Sequence, residues 1–240
     1  MASSWKVALE QRLKQAETPS VLTTGMLLGI ARSARPVEEV SDSAFFRWLR
    51  MASEAGKLRE ITKGVYLNVL GHRDVSPAAA ATLIRSRSVV DLSWVLEQAG
   101  LTNNLGETYT CVIPTDPAWP NPNLSDRVTA AGTFRFFAMP ARLVDEEAGA
   151  LEDVRDLRFD YVRATPEKAF LDWIYLGTSG RSRLTLPPLD IDYDELDAER
   201  LHRLAQNMAL PKKLEAWVQR YRAYQADEDV QANAAGRLNF

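Results

Sequence analysis

Three short helical patterns and then a hairpin pattern occupy the first 70 residues, and few folds accommodate that order in so little chain. Residues 5–16 place Val7, Leu9 and Leu13 among Lys6, Glu10, Arg12 and Lys14, an amphipathic spacing that ends before Pro19. Residues 21–31 read as a short apolar helix with Thr23 or Thr24 as its N-cap, broken at Arg35-Pro36. Ser41 or Asp42 caps a third helix that runs to about Ala55. Its apolar face is Phe45, Trp48, Leu49 and Ala52, and Gly56 stands where a glycine closes a helix. Residues 57–68 carry β-branched and aromatic residues around Thr62-Lys63-Gly64, which reads as a hairpin.

This is the layout of a winged helix-turn-helix, in which the third helix enters the major groove and the hairpin touches the flanking backbone. Opposite the apolar face, Ser43, Arg47 and Arg50 lie at i, i+4 and i+7 and project together. The planar fork of arginine suits guanine O6/N7 or a phosphate. Lys57, Arg59 and Lys63 lie on or beside the hairpin, where a wing meets phosphate. The competing readings are a small three-helix domain with an ordinary solvated face, or a winged helix that docks protein. DNA contact is the favoured one.

Charge divides the chain. Residues 1–77 hold 11 Lys+Arg against 8 Asp+Glu, and residues 78–240 hold 18 against 24. We therefore expect a DNA-binding module at 1–77 and a second module at 78–240, with different partners. The seam falls where Gly71, Pro77 and an alanine run follow the hairpin. In the second module, residues 77–85 and 91–99 read as helices, and residues 109–114, 133–139 and 157–163 as strands. Residues 115–125 form a Pro/Asn loop. Thr165 caps a helix with Pro166 in its first turn, ending at Gly177. Residues 194–207 and 211–224 are further helices, and the tail from about 225 is expected to fray. The fold class is α+β: a winged helix followed by a mixed β-sheet with helices. With 46% hydrophobic and 25% charged residues, the chain is neither disordered nor collagen-like. A net charge of −3 argues against bulk polyanion binding while leaving room for a local basic patch.

Candidate chemistry is sparse. The single cysteine, Cys111, allows no internal disulfide, and with only His72 and His202 beside it no zinc cage is expected. Cys111 sits in an apolar strand pattern and reads as core. Phe134, Phe136 and Phe137 read as a packed strand, not as a stacking platform for bases. Glu167, Lys168 and Asp172 invite a catalytic reading. A metal nuclease, however, wants Glu-x-Lys on a strand, and here Glu and Lys are adjacent at a helix start. Structural roles are preferred. Gly177-Thr178 followed by Asp190-Ile191-Asp192 loosely matches the metal-binding pattern of nucleotidyltransferases. Pro187-Pro188 occupies the bridge where a helix should run, so an acidic loop is the better reading. We find no phosphate-cradling glycine loop and no Ser/His/Asp signature. Cofactors, a metal and catalysis are not expected. Residues 1–15 carry charge where a secretory signal needs an apolar run, and no stretch approaches the ~18 apolar residues of a membrane span. We expect a cytoplasmic protein.

Several segments together carry a resemblance. The wing strand Lys63-Gly64-Val65-Tyr66 is followed by Leu92-Ser93-Trp94-Val95-Leu96, then Ala99-Gly100-Leu101, then Ala164-Thr165-Pro166-Glu167-Lys168-Ala169-Phe170-Leu171-Asp172. From about Val21 to Tyr221 the chain resembles the AbiEi-like antitoxins, the transcriptional regulators of type IV toxin–antitoxin systems. It departs from the family's Ser-Ala-Leu…His-Gly-Leu pattern: Trp94-Val95 replaces the alanine and Ala99 replaces the histidine. The resemblance implies an antitoxin that counters a nucleotidyltransferase-like toxin and binds inverted repeats in its own promoter, a form of phage defence. Its partners would be operator DNA and the toxin, with no membrane. The toxin-contacting residues are not implied. The alternatives are a stand-alone winged-helix regulator whose second domain senses a ligand, and an enzyme, either a nucleotidyltransferase or a metal-dependent nuclease.

Overall fold

The computed structural model describes residues 4–35, 39–72, 74–102, 106–144 and 160–236. It is an α+β fold. The N-terminal part runs α1 (Trp5–Leu13), β1 (Val21–Thr23), α2 (Thr24–Ala34), α3 (Asp42–Glu54), β2 (Arg59–Thr62) and β3 (Val65–Leu67). Helix α1 stops earlier than the sequence pattern suggests; the Thr18 hydroxyl folds back to donate to the Arg12 carbonyl at 2.6 Å. Residues 21–23 are strand, not helix. They pair antiparallel with β3, in the register Val21↔Leu67, Leu22↔Tyr66 and Thr23↔Val65, giving a three-stranded sheet in the order β1-β3-β2. Two of these three residues are β-branched, and the sheet gives them partners that a free helical turn would not. Thr23 then caps α2, accepting from the Met26 N–H at 3.2 Å, and Ser41 caps α3. Gly56, at φ +68°, closes α3 in the left-handed region.

Strands β1 and β3 of the small sheet are covered on both faces, while the edge strand β2 leaves Arg59 and Glu60 in solvent. Alternation along a strand sends successive side chains to opposite sides. Leu22 and Tyr66 pack with Trp5, Leu9, Leu13, Leu27, Phe45, Trp48 and Leu49, the core of the helices. Val21, Ile61, Val65 and Leu67 face the other way and join the core of residues 78 onward. The hairpin is thus a wall between two cores.

The second part holds α4 (Ala81–Ile84), β4 (Val89–Val90), α5 (Ser93–Gln98), β5 (Thr108–Thr115), β6 (Arg127–Thr129), β7 (Gly132–Pro140), α6 (Pro166–Gly177), α7 (Ala198–Asn207) and α8 (Pro211–Gly236). Its four strands lie in the order β4-β5-β7-β6. The central pair β5/β7 is parallel over Thr108↔Thr133 to Thr115↔Pro140, and both outer pairs are antiparallel. The sheet is therefore mixed. Several expectations are corrected here. The 77–85 helix splits into a 3-10 turn, Pro77–Ala80, and the single turn of α4. Of the expected strand 157–163, residues 157–159 lie outside the described residues, and Arg163 makes one isolated parallel bridge to Val90. The helix expected from 194 starts at Ala198; a 3-10 turn, Tyr193–Glu195, precedes it, and Asp197 caps it by accepting from the Arg200 N–H at 3.0 Å. Helix α8 continues to Gly236, since the alanines, glutamines and Glu228 after residue 224 favour helix and no proline intervenes.

Helix α6 is the most enclosed element; Ala169, Phe170, Leu171 and Ile174 are fully buried. An aromatic cluster fixes α8 against it. Trp217 meets Phe170 edge-on at 4.8 Å, stacks on Tyr221 and donates from Nε1 to the Pro187 carbonyl at 3.0 Å. Among the described residues no helix is long and apolar enough to cross a membrane.

The β6–β7 turn has one tight point. Gly132 has φ +123°, and a β-carbon there would run into the Glu107 carbonyl oxygen and lie 3.0 Å from the Tyr109 ring. Gly132→Ala should therefore cost at least the ~1–3 kcal/mol of a strained backbone position, read as a lowered thermal midpoint. A melting curve unchanged from the parent would show that the turn relaxes freely.

Candidate nucleic-acid interface

Helix α3 is driven into the first core by Phe45, Trp48, Leu49 and Ala52, all buried, so its opposite face must look outward. Ser43, Arg47 and Arg50 stand exposed there, as the spacing requires. Phe46 flanks them, 53% exposed. Arg50 has one weak neighbour, Glu54, at 3.9 Å with both side chains in solvent. Such a pair is worth no more than about 1 kcal/mol and does not hold the guanidinium back. Asp42, in the first turn, pairs instead with Arg32 of α2 at 2.9 Å, bracing the two helices.

The hairpin residues divide. Lys63 is exposed in the β2–β3 turn beside Gly64, whose φ of +80° suits the glycine. The turn is anchored: the Gly64 carbonyl accepts from the Thr24 N–H at 2.9 Å, and Glu60 accepts from the Gly64 N–H and the Tyr66 hydroxyl. Arg59 is exposed on β2, close enough to Tyr109 for its charge to favour the phenolate, although burial still pushes that phenol up. Lys57 is engaged elsewhere. Its Nζ lies 2.7 Å from Glu10 Oε1, which also accepts from Trp48 Nε1 at 3.3 Å. This contact ties α1 to the corner between α3 and β2. The structure thus presents Ser43, Arg47, Arg50, Arg59 and Lys63 to solvent and commits Lys57 to an ion pair.

The other sequence candidates fall into the interior or onto loops. Thr165 caps α6, accepting from the Lys168 N–H at 3.4 Å. Lys168 and Asp172 form an ion pair, at 2% and 0% side-chain exposure. The carboxyl of Asp91, which precedes α5 and accepts from the Leu92 N–H at 2.7 Å, acts on that of Asp172, and Asp91 Oδ2 and Asp172 Oδ1 are both buried with no other hydrogen-bond partner. Two carboxyls can share a hydrogen bond only if one carries a proton. Burial raises the Asp91 carboxyl well above its ordinary value, and the Asp172 charge raises it further. Burial raises Asp172 too, while Lys168 pulls it back. Asp91 is therefore the proton holder and Asp172 the charged partner of Lys168. Glu167 joins α6 to α7, accepting from the Asp197 N–H at 3.3 Å, with Arg200 3.8 Å away. All three α6 residues thus have structural partners.

Cys111 is fully buried, and its thiol is pushed up by burial and by Asp91. Phe134 and Phe136 are buried in β7 and Phe137 packs on the same core. His72 bonds the Thr18 carbonyl at 2.8 Å and His202 the Ala198 carbonyl at 2.6 Å. Thr178 ends α6, donating to the Ile174 carbonyl and accepting from Lys213. Asp190 and Asp192 are exposed in a separate turn. Among the described residues no three His, Cys, Asp or Glu side chains group as metal ligands.

Sequence reading missed Asp91 and Arg127. Asp91 gains meaning only from its contact with α6, some 80 residues away, and carries no local signal. Arg127 had one: Arg-Val-Thr before Ala-Ala-Gly is a β-branched run entering a glycine turn.

The fold and this face define an α+β protein whose N-terminal part has the winged-helix order of elements. No protein-family model and no curated protein matches the sequence. Among solved structures, the chain is similar to the RV2827C protein from Mycobacterium tuberculosis. The identity is 17% and the TM-score 0.44, over 86% of this chain and 72% of that one.

The buried pair makes a pH prediction. An acid whose folded pKa is raised stabilises the fold fully below its unfolded value and loses that contribution as pH climbs through the folded one. Asp91→Asn replaces the acidic proton with an amide donor to Asp172, keeps an oxygen for the Leu92 N–H and cannot ionise. Its melting temperature should gain on the parent's as pH rises from acid to neutral. Parallel curves would show that Asp91 does not carry the proton.

Proposed function

We propose that the protein is an antitoxin that represses its own promoter through winged-helix DNA binding and neutralises a nucleotidyltransferase-like toxin. The observation that carries the DNA half is the outward face of α3, where Ser43, Arg47 and Arg50 stand exposed together, with Lys63 exposed on an anchored hairpin turn. In this reading α3 lies in the major groove, with Arg47 or Arg50 on base edges. Arg59 and Lys63 meet phosphate, and Lys57 braces the module from behind. The operator contains inverted repeats. The toxin half rests on the resemblance of the wing strand and the Pro166–Asp172 segment to AbiEi-like antitoxins. The predominantly acidic second part is suited to a protein partner. No catalytic step belongs to this reading, since Lys168 and Asp172 are enclosed and Asp190 and Asp192 serve as loop carboxylates.

Arg47→Ala should cost about 1–3 kcal/mol on a duplex covering the protein's own promoter if it grips a base in two bonds. A folded Arg47→Ala/Arg50→Ala/Lys63→Ala chain that binds this duplex like the parent ends the DNA reading. For the second half, co-expression of the chain with a nucleotidyltransferase-like toxin encoded beside it should restore the growth that the toxin alone stops, and the Asp190→Ala/Asp192→Ala chain should protect equally well. Protection lost in that double variant, with its fold intact, would point to an enzyme.

A further inference from the structure

The wing does not stand alone at its outer edge. The β6–β7 hairpin of the second sheet abuts it: the Ala130 N–H donates to the Ile61 carbonyl at 3.2 Å, and Arg127 Nη2 donates to Thr62 Oγ1 at 3.0 Å. Thr62 is the residue before Lys63, so Arg127 sits against the turn that carries the wing's own cation. It is exposed, as is its neighbour Val128 at 76%. Its contact is with a neutral hydroxyl, and no carboxylate among the described residues pairs with it. A guanidinium has five N–H donors, and one such bond leaves the charge and most of them available. The nearby acids are engaged elsewhere: Asp126 with Arg135 at 3.3 Å, and Glu60 under the turn with Gly64 and Tyr66.

We infer that Arg127 is a phosphate-binding residue of the DNA interface, supplied by the second sheet and positioned by Thr62 beside Lys63. The inference rests on the DNA-binding reading and extends it: the interface spans both parts of the chain, and the acidic second part contributes a cation exactly where its hairpin meets the wing. Because phosphate carries no sequence information, Arg127 should add affinity for any duplex without adding specificity.

The test uses the full chain and a random-sequence DNA duplex, with binding measured across a salt series. Arg127→Ala should weaken binding and lower the magnitude of the log–log salt slope by about 1, as Lys63→Ala should, while Arg127→Lys keeps the slope. Thr62→Val, which removes the hydroxyl but leaves the charge, should also keep most of it. Melting curves establish that each variant is folded. A parent-like slope in Arg127→Ala, with a reduced one in Lys63→Ala, overturns the inference and leaves the wing reading standing. Arg127→Gln, which keeps an N–H donor for Thr62 but removes the charge, should lose the slope as Arg127→Ala does; a parent-like slope in Arg127→Gln with a reduced one in Arg127→Ala assigns Arg127 to bracing the wing and also overturns it. Absence of binding by the parent chain removes the underlying DNA reading before any variant is compared.

Discussion

The burial of the central strand β3 on both faces of the small sheet is the contact on which the rest of this molecule depends. Val65-Tyr66-Leu67 is buried at every position, an uninterrupted apolar run of the kind expected of a strand covered on two sides. Tyr66 holds the sheet to the helical core, and Val65 and Leu67 hold it to the larger core. The direction in which α3 points is thereby fixed relative to the second part. The Thr24–Gly64 backbone bond ties the hairpin turn to the start of α2, so the turn and the helices move as one unit.

A second constraint sits deeper. Asp91, Lys168 and Asp172 bring one cation and two acids into a region with almost no solvent. Two charges on the acids would leave one of them uncompensated; a retained proton removes that cost and lets the two carboxyls share a hydrogen bond. Losing one partner of such a buried pair typically costs about 3–5 kcal/mol. The cluster thus fixes the start of α5 against α6, and the partners of Glu167 extend that order to α7.

Elements specified by their own neighbours were legible in the sequence. Helix α3 declared itself through a serine cap, a four-residue apolar face and a terminal glycine; α6 did so through Thr165, Pro166 and Gly177. The outward face of α3 followed from the same periodicity. Elements that exist only through tertiary pairing were not legible. Strand β1 looked helical because Val21 and Leu22 continue the apolar run of α2, and it is strand because β3 lies beside it. Strands β4 and β6, two and three residues long, are too short to show alternation. The same holds for the site. Side chains with one local job, such as Arg47 and Arg50, were placed correctly on the surface. Lys57 was not readable, because its partner Glu10 is 47 positions away and nothing near either residue announces the other.

The two-sided sheet also bears on heredity and engineering. A folding unit with a finished exterior can be cut out and grafted onto new partners. This one has no such exterior: separated at residue 77, it would show Val21, Ile61, Val65 and Leu67 to water as a contiguous oily face. Whatever recombination such a chain undergoes has to carry the hairpin's second cover along with it, so that the helical N-terminal part and its companion are inherited as one indivisible cassette.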